Sequence, residues 1–247
     1  MSSSRVDIVI PVYNEGAQIV SVLESLRTQV RTPFRVLICY DFEDDDTLPA
    51  LDRYDAPFEI VRVKSRGRGP HAAVMSGFAV SDADAVLVFP ADDDYNASRL
   101  DALFARRAAG CDIVCASRFI PGGAMVGCPP LKALILRASA LVLYHLARVP
   151  THDPSNGFRL FSRRVVRDVP IESTAGFTYS IELLVKCQRL GWPVCEVPVH
   201  WYERTHGKSR FRVVGWLGPY FRWFRYAFAT TYLRRGPDTV RVRAETA

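Results

Sequence analysis

Residues 85–94 read Ala85-Val86-Leu87-Val88-Phe89-Pro90-Ala91-Asp92-Asp93-Asp94. An uninterrupted apolar run of this length predicts a strand buried on both faces, and Pro90 ends it. Carboxylates two apart then stand at the strand's carboxyl end. Hard oxygen ligands so placed can hold Mg²⁺ or Mn²⁺ and leave coordination positions open for a diphosphate, so Asp92 and Asp94 are the candidate metal ligands. The same residues also admit a plainer reading, an acidic turn that caps the next helix through Asn96 or Ser98.

Working outward, Val6-Asp7-Ile8-Val9-Ile10-Pro11-Val12 reads as a first buried strand, and Asn14-Glu15-Gly16 as a turn. Residues 17–29 place Ile19, Val22, Leu23 and Leu26 on one helical face. A second strand at 35–39 runs into the acidic loop that begins at Asp41, and a third covers 58–63. The loop Lys64-Ser65-Arg66-Gly67-Arg68-Gly69-Pro70-His71 leads into a helix through 72–80. Glycines before a helix free backbone N–H groups for an anion, which makes Gly69 a candidate contact. No G-K-[ST] follows, so this is not a P-loop. A helix at 96–109 and a strand at 112–116 continue the alternation. The pattern predicts an α/β chain with a mixed, mostly parallel sheet flanked by helices. Its polar loops gather at the carboxyl ends of the strands, where such sheets bind ligands. The Asp41 cluster falls on the same rim as Asp92.

Beyond Arg118 the pattern changes. A long apolar helix is expected over 129–148, a loop over 151–159, a short strand and helix over 161–169, a helix over 177–190 and a strand over 194–199. A basic loop at 202–209 leads to an aromatic, basic segment from 211 to 233.

Composition narrows the class. The 247 residues are 49% hydrophobic and 23% charged, which excludes a disordered chain. No apolar stretch approaches the roughly 18–20 residues of a spanning helix, and no signal peptide is visible, so a cytoplasmic protein is expected. Six cysteines without a C-x-x-C pair read as buried thiols, not disulfides or a zinc site. Net charge is +6, but residues 200–247 alone hold ten Lys/Arg against three carboxylates, so the basic character belongs to the tail. On a helical wheel Leu217, Tyr220, Phe221, Trp223, Phe224, Ala227 and Phe228 gather opposite Arg222 and Arg225. Aromatics facing away from arginine suit a helix lying in an anionic membrane surface. Packing on the protein's own core and a homo-oligomer interface are the alternatives. Nucleic acid is not expected, because no recognised motif is present and the aromatics segregate from the charges.

Six short motifs, in order and spanning residues 6–212, resemble the family 2 glycosyltransferases, in particular the dolichyl- or polyprenyl-phosphate mannose synthases. They are Ile10-Pro11-Val12-Tyr13-Asn14-Glu15, the acidic turn with Asp92 and Asp94, and Ala116-Ser117-Arg118-Phe119. Asp153-Pro154-Ser155-Asn156-Gly157-Phe158-Arg159, Glu196-Val197-Pro198-Val199 and Arg204-Thr205-His206-Gly207-Lys208-Ser209 follow. The resemblance implies a GT-A catalytic domain over 1–210, with 211–247 as an amphipathic tail. It implies a nucleotide-sugar donor, GDP-mannose or a UDP-sugar, held by Pro11, Tyr13, Glu15, Asp41 and Gly69. Asp92 and Asp94 would bind the metal, and Arg204 and Lys208 would cover the diphosphate. Arg118, with Lys132 and Arg137, would face the phosphate of a polyprenyl phosphate acceptor, at the inner face of the membrane. The sequence departs from the family at Tyr40, where a paired Asp is usual, at Pro90, at Asp94 for a Gln, and at Leu136 for a Ser. If the acceptor were instead a hydroxyl, a general base would be required, and Asp153 and Glu182 are the candidates. A non-catalytic nucleotide-sugar-binding or membrane-scaffold protein is the third alternative.

Overall fold

The computed structural model of the chain describes residues 5–203 and 213–243. Seven strands form one sheet in the order β3-β2-β1-β4-β7-β5-β8. They are β1 (Val6–Pro11), β2 (Phe34–Tyr40), β3 (Ile60–Lys64), β4 (Ala85–Val88), β5 (Ile113–Ser117), β7 (Arg159–Ser162) and β8 (Val194–Pro198). All neighbours run parallel except β7, which lies antiparallel between β4 and β5. A separate pair joins β6 (Ala124–Val126) to β9 (His200–Tyr202). The strand expected over 194–199 is β8; β9 follows after Val199, leaves the main sheet and meets Asn96 beside the acidic turn.

Helices cover both faces, as the apolar strands require. On one face α1 (Gln18–Gln29), α2 (Thr47–Asp52) and α4 (Leu100–Ala108) bury Ile19, Leu23, Leu48 and Leu103 against Ile8, Ile38 and Leu87. On the other, α3 (Pro70–Val80), α7 (Thr178–Leu190) and α8 (Val213–Tyr232) pack over Val9, Leu37, Val86 and Ile113. Short α6 (Arg163–Asp168) follows β7. The helix expected over 129–148 is α5 (Pro130–Leu141), continued by a π turn at Val142–Leu146. Gly77 lets α3 approach the sheet, since a Cβ there would stand 2.7 Å from Val9 Cγ1.

Asp7 is the exception in β1, a fully buried carboxylate in an apolar strand. It is satisfied by Arg35, which donates from Nε and Nη2 at 2.9 and 2.7 Å, and by the Ser81 hydroxyl at 2.7 Å. This ion pair sits at the amino end of the strands, away from the rim that carries the ligand loops.

Two expectations are corrected. Cys111 and Cys195 form a disulfide, with Cα atoms 6.0 Å apart. The pairing of β5 with β8 brings together residues 84 apart in sequence, a proximity that spacing alone does not reveal. Of the remaining cysteines, Cys39, Cys115 and Cys187 are buried thiols, as expected, while Cys128 is half-buried. The aromatic face of α8 is also not presented as a whole to the outside. Trp223 and Ala227 are buried in the core against α7, whereas Phe221 is 63% exposed.

Candidate active site

A cavity of about 1260 Å³ opens at the carboxyl ends of β1, β2 and β4 and extends between α5 and α8. Its first wall is built from the loops after β1 and β2. Asn14 adopts φ +51°, turning the chain so that the Asn14, Glu15 and Gly16 amides donate to Asp45 Oδ2, Thr47 Oγ1 and Asp46 Oδ1. Much of the acidic loop thus clips one loop to the next. Asp41 alone of its carboxylates lines the cavity. Asp41 accepts the Gly69 amide at 2.6 Å, and its Oδ1 is buried without a protein partner. Gly69, at φ +86°, therefore directs its N–H to Asp41 and not toward a bound anion. Pro11, Tyr13 and Glu15 line the same wall, and Tyr13 meets Phe42 edge to face at 5.2 Å.

The three carboxylates of the acidic turn separate into three roles. Asp92 lines the cavity. Asp93 turns inward and closes the turn, accepting the Asn96 amide at 2.9 Å and the Asn96 side-chain N–H at 2.8 Å, while neither Asn96 nor Ser98 caps the next helix through its side chain. Burial pushes the Asp93 pKa up to about 6 against these hydrogen bonds. Asn96 in turn exchanges hydrogen bonds with the backbone of His200, at 3.0 and 2.7 Å, and so fastens β9 to the turn. Asp94 lies outside the cavity lining, with Gln18 Nε2 at 3.5 Å. Among the described residues no group of three ligating side chains stands ready for a metal. An all-oxygen set with Asp92 at the cavity fits a hard divalent cation only if donor oxygens and water complete its shell.

The second wall is cationic. Arg118, at the end of β5, lines the cavity although it is only 8% exposed. It donates to both oxygens of the fully buried Asp153, from Nε at 2.7 Å and Nη2 at 2.8 Å, and to Ser155 Oγ at 3.0 Å. Burial alone would raise the Asp153 pKa, but the Arg118 charge and hydrogen bonds outweigh it and hold the carboxyl below its ordinary value. Lys132 on α5 also lines the cavity, 3.0 Å from Glu203 Oε2 and 4.7 Å from the centre of the Trp201 ring.

Three expected positions fall elsewhere. Asp153 is the counter-ion of Arg118 and does not line the cavity, so it is not placed as a general base. Glu182 is fully buried on α7, where it accepts the Glu172 and Ser173 amides and pairs with Lys186 at 2.7 Å. It anchors that loop to the helix. Arg137 is on the outer side of α5, over the Phe119 ring at 6.0 Å. Arg204 and Lys208 lie outside the described residues.

Other lining residues carried no local signal. Ser139 lies on α5 one turn beyond Leu136 and lines the cavity with it, its hydroxyl donating to the Leu136 carbonyl at 2.9 Å. Trp201 and Glu203 arrive through β9, whose path depends on Asn96. Ile135, Leu143, Ile181, Tyr220 and Phe224 make the far end apolar.

A mostly parallel sheet with a large cavity over its carboxyl rim, Asp41 and Asp92 on one side and the Arg118–Asp153 and Lys132–Glu203 pairs on the other, is a GT-A-like arrangement. The sequence model of "Glycosyl transferase family 2" matches residues 7–169, and the chain belongs to that family. The polyprenol monophosphomannose synthase of Mycolicibacterium smegmatis is 25% identical over 218 residues, 84% of this chain and 81% of that protein. The undecaprenyl-phosphate mannosyltransferase of Micrococcus luteus is 28% identical over 214 residues, 83% of this chain and 87% of that protein. Among solved structures, glucosyl-3-phosphoglycerate synthase from Mycobacterium tuberculosis, in complex with Mn²⁺, UDP-glucose and phosphoglyceric acid, superposes with a TM-score of 0.64. That likeness covers 97% of this chain and 86% of the other at 17% identity, and it speaks to the fold.

Proposed function

We propose that the chain transfers a hexose, mannose in preference, from a nucleotide sugar to the phosphate of a polyprenyl monophosphate, with inversion. The observation that carries this reading is the continuity of one cavity. It joins the Asp41 and Asp92 wall to Arg118 and Lys132, and then to the apolar channel between α5 and α8. A sugar nucleotide, a phosphate and an isoprenoid chain need those three surfaces in that order. The names of the M. smegmatis and M. luteus relatives agree with it.

An ionised acceptor phosphate is already a nucleophile, so no protein base is needed. This suits a cavity whose two candidate bases are both occupied elsewhere. Arg118, pre-set by Asp153 and Ser155, holds the acceptor phosphate in line with the anomeric carbon. Lys132 sets its second oxygen, and Asp41 and Tyr13 hold the nucleoside. Alignment of this kind removes much of the barrier. Mg²⁺ or Mn²⁺ at Asp92, with Asp94 behind it, would neutralise charge on the departing nucleoside diphosphate.

No helix among the described residues is long and apolar enough to cross a membrane. Leu131, Leu134 and Leu141 on α5 and Phe221 on α8 are exposed and provide apolar surface for meeting the lipid. We place the protein at the inner face of the membrane, bound peripherally.

The test is nucleoside diphosphate release from GDP-, UDP- and dTDP-sugars with Mg²⁺ or Mn²⁺, with and without polyprenyl phosphate. Release that requires both the lipid and Asp92 is expected, and Asp92→Ala should reduce it at least 100-fold, as loss of metal-borne charge stabilisation does. Asp92-dependent release without lipid would move the acceptor to a hydroxyl compound.

A further inference from the structure

A second groove, of about 820 Å³, runs along the outer side of α8, and Phe221 lines both it and the active cavity. Arg189, Arg222, Arg225 and Arg235 line it, and among the described residues no carboxylate does. Arg222 is paired with Glu172. The others have no carboxylate within ion-pair distance among the described residues. Arg189 is the informative one. It is 8% exposed and lies over the Tyr226 ring, 3.3 Å from its centre, yet among the described residues its guanidinium donates to neutral oxygens alone, Thr230 Oγ1 at 2.9 Å, Tyr226 O at 2.9 Å and Thr239 Oγ1 at 3.2 Å. Burial, with a further contribution from the Arg235 charge, pushes its pKa below the ordinary arginine value. A buried cation without a counter-ion is costly, and an anion from outside would relieve the cost. Tyr232 and Leu233, which also line the groove, are 61% and 67% exposed.

We propose that this groove binds the phosphate headgroup of an anionic membrane lipid. Arg189, Arg225 and Arg235 would receive the phosphate, and Phe221, Tyr232 and Leu233 would enter the acyl layer. Opposite charge together with exposed apolar side chains matches an amphiphile better than a free ion. The groove's arginines do not line the acceptor cavity, although Phe221 and Gly218 line both. The groove deepens the peripheral-membrane part of the proposed function, because it would orient the shared edge of α8 so that the active cavity faces the bilayer.

The experiment is flotation of the full chain with vesicles of phosphatidylcholine alone and of phosphatidylcholine mixed with phosphatidylglycerol. Arg225→Gln with Arg235→Gln is compared with Arg53→Gln and Arg106→Gln, a control pair of equal charge loss at other exposed positions. An arginine near an anionic surface contributes about fivefold in binding. The groove pair should therefore weaken binding to the anionic vesicles roughly twentyfold, while the control pair changes it less than about threefold. Equal losses in the two pairs would overturn the proposal in favour of diffuse charge. So would equal binding of the unaltered protein to both vesicles, or displacement by millimolar inorganic phosphate, which would mark a free-anion site. Turnover of polyprenyl phosphate in detergent micelles, run in parallel, should be unchanged in the groove pair. Absence of that turnover in the unaltered protein would refute the acceptor reading alone and leave the flotation result to decide the groove.

Discussion

At the scale of single residues, the Arg118–Asp153 pair joins stability to function. Both side chains are desolvated, so their attraction must offset a large burial cost, and removing one partner strands the other. Arg118→Ala should lower unfolding free energy by about 3–5 kcal/mol and abolish transfer, as read by chemical denaturation and by nucleoside diphosphate release. The double variant Arg118→Met/Asp153→Leu separates the two effects. It should recover part of that loss, because an apolar pair replaces the ion pair, stay about 1–3 kcal/mol below the parent because the buried Arg118 amide loses its Asp153 acceptor, and remain inactive. Recovery of activity in that variant would show that Arg118 only supports the fold. The three neighbouring carboxylates, Asp92, Asp93 and Asp94, make a related point. They are chemically equivalent in sequence, but one faces the cavity, one is buried within the turn and one points to α1.

At the scale of elements, α8 serves two surfaces at once. Trp223 is 1% exposed in the core beneath it, while Phe221, two residues away, meets the outside. Trp223→Ala should cost about 3–5 kcal/mol, a fall in Tm of roughly 10 °C at this chain length. Phe221→Ala should leave unfolding within about 0.5 kcal/mol and raise KM for long-chain polyprenyl phosphate without a matching loss in kcat. A similar contrast holds for α3. Gly77→Ala places a methyl 2.7 Å from Val9 Cγ1 and 3.0 Å from Cys39 Sγ. Thermal unfolding should report a loss of about 1–3 kcal/mol as the helix is pushed off the sheet. The helix-forming gain of alanine, about 1 kcal/mol, recovers only part of it.

At the scale of the whole molecule, stability should fall in acid. Asp153 and Asp101 both have pKa values held below the ordinary carboxylate value in the fold, against the opposing effect of burial. In Asp153 the Arg118 charge does this, and in Asp101 the hydrogen bonds from Thr32 and the Arg31 amide do. The unfolded chain therefore binds protons first as pH falls. Their contribution is full above the unfolded value near 4 and is lost as pH drops through the lower folded values. Denaturation midpoints should be flat from about pH 7 to pH 5 in respect of these groups and decline below about pH 4. The parent should show a steeper decline than the Arg118→Met/Asp153→Leu variant.

The alternation of apolar strands with helices, the polar rim and the family's motifs were all readable in the chain. Each is a local property, set by hydrophobic period, by proline or glycine at a turn, or by residues close in sequence. Asp41 and Asp92 were placed on one rim by the strand pattern, the resemblance pointed to Pro11, Tyr13, Glu15, Arg118 and Lys132, and all seven line the cavity. What the chain alone left open depends on contacts across long separations. The occupation of Asp153 by Arg118, the withdrawal of Glu182 to Lys186, the Cys111–Cys195 bond and the division of α8 between core and surface are of this kind. A side chain's type states which partners it can take. Which partner it meets, and whether it is left free for a ligand, is decided only when strands distant in sequence are brought into register.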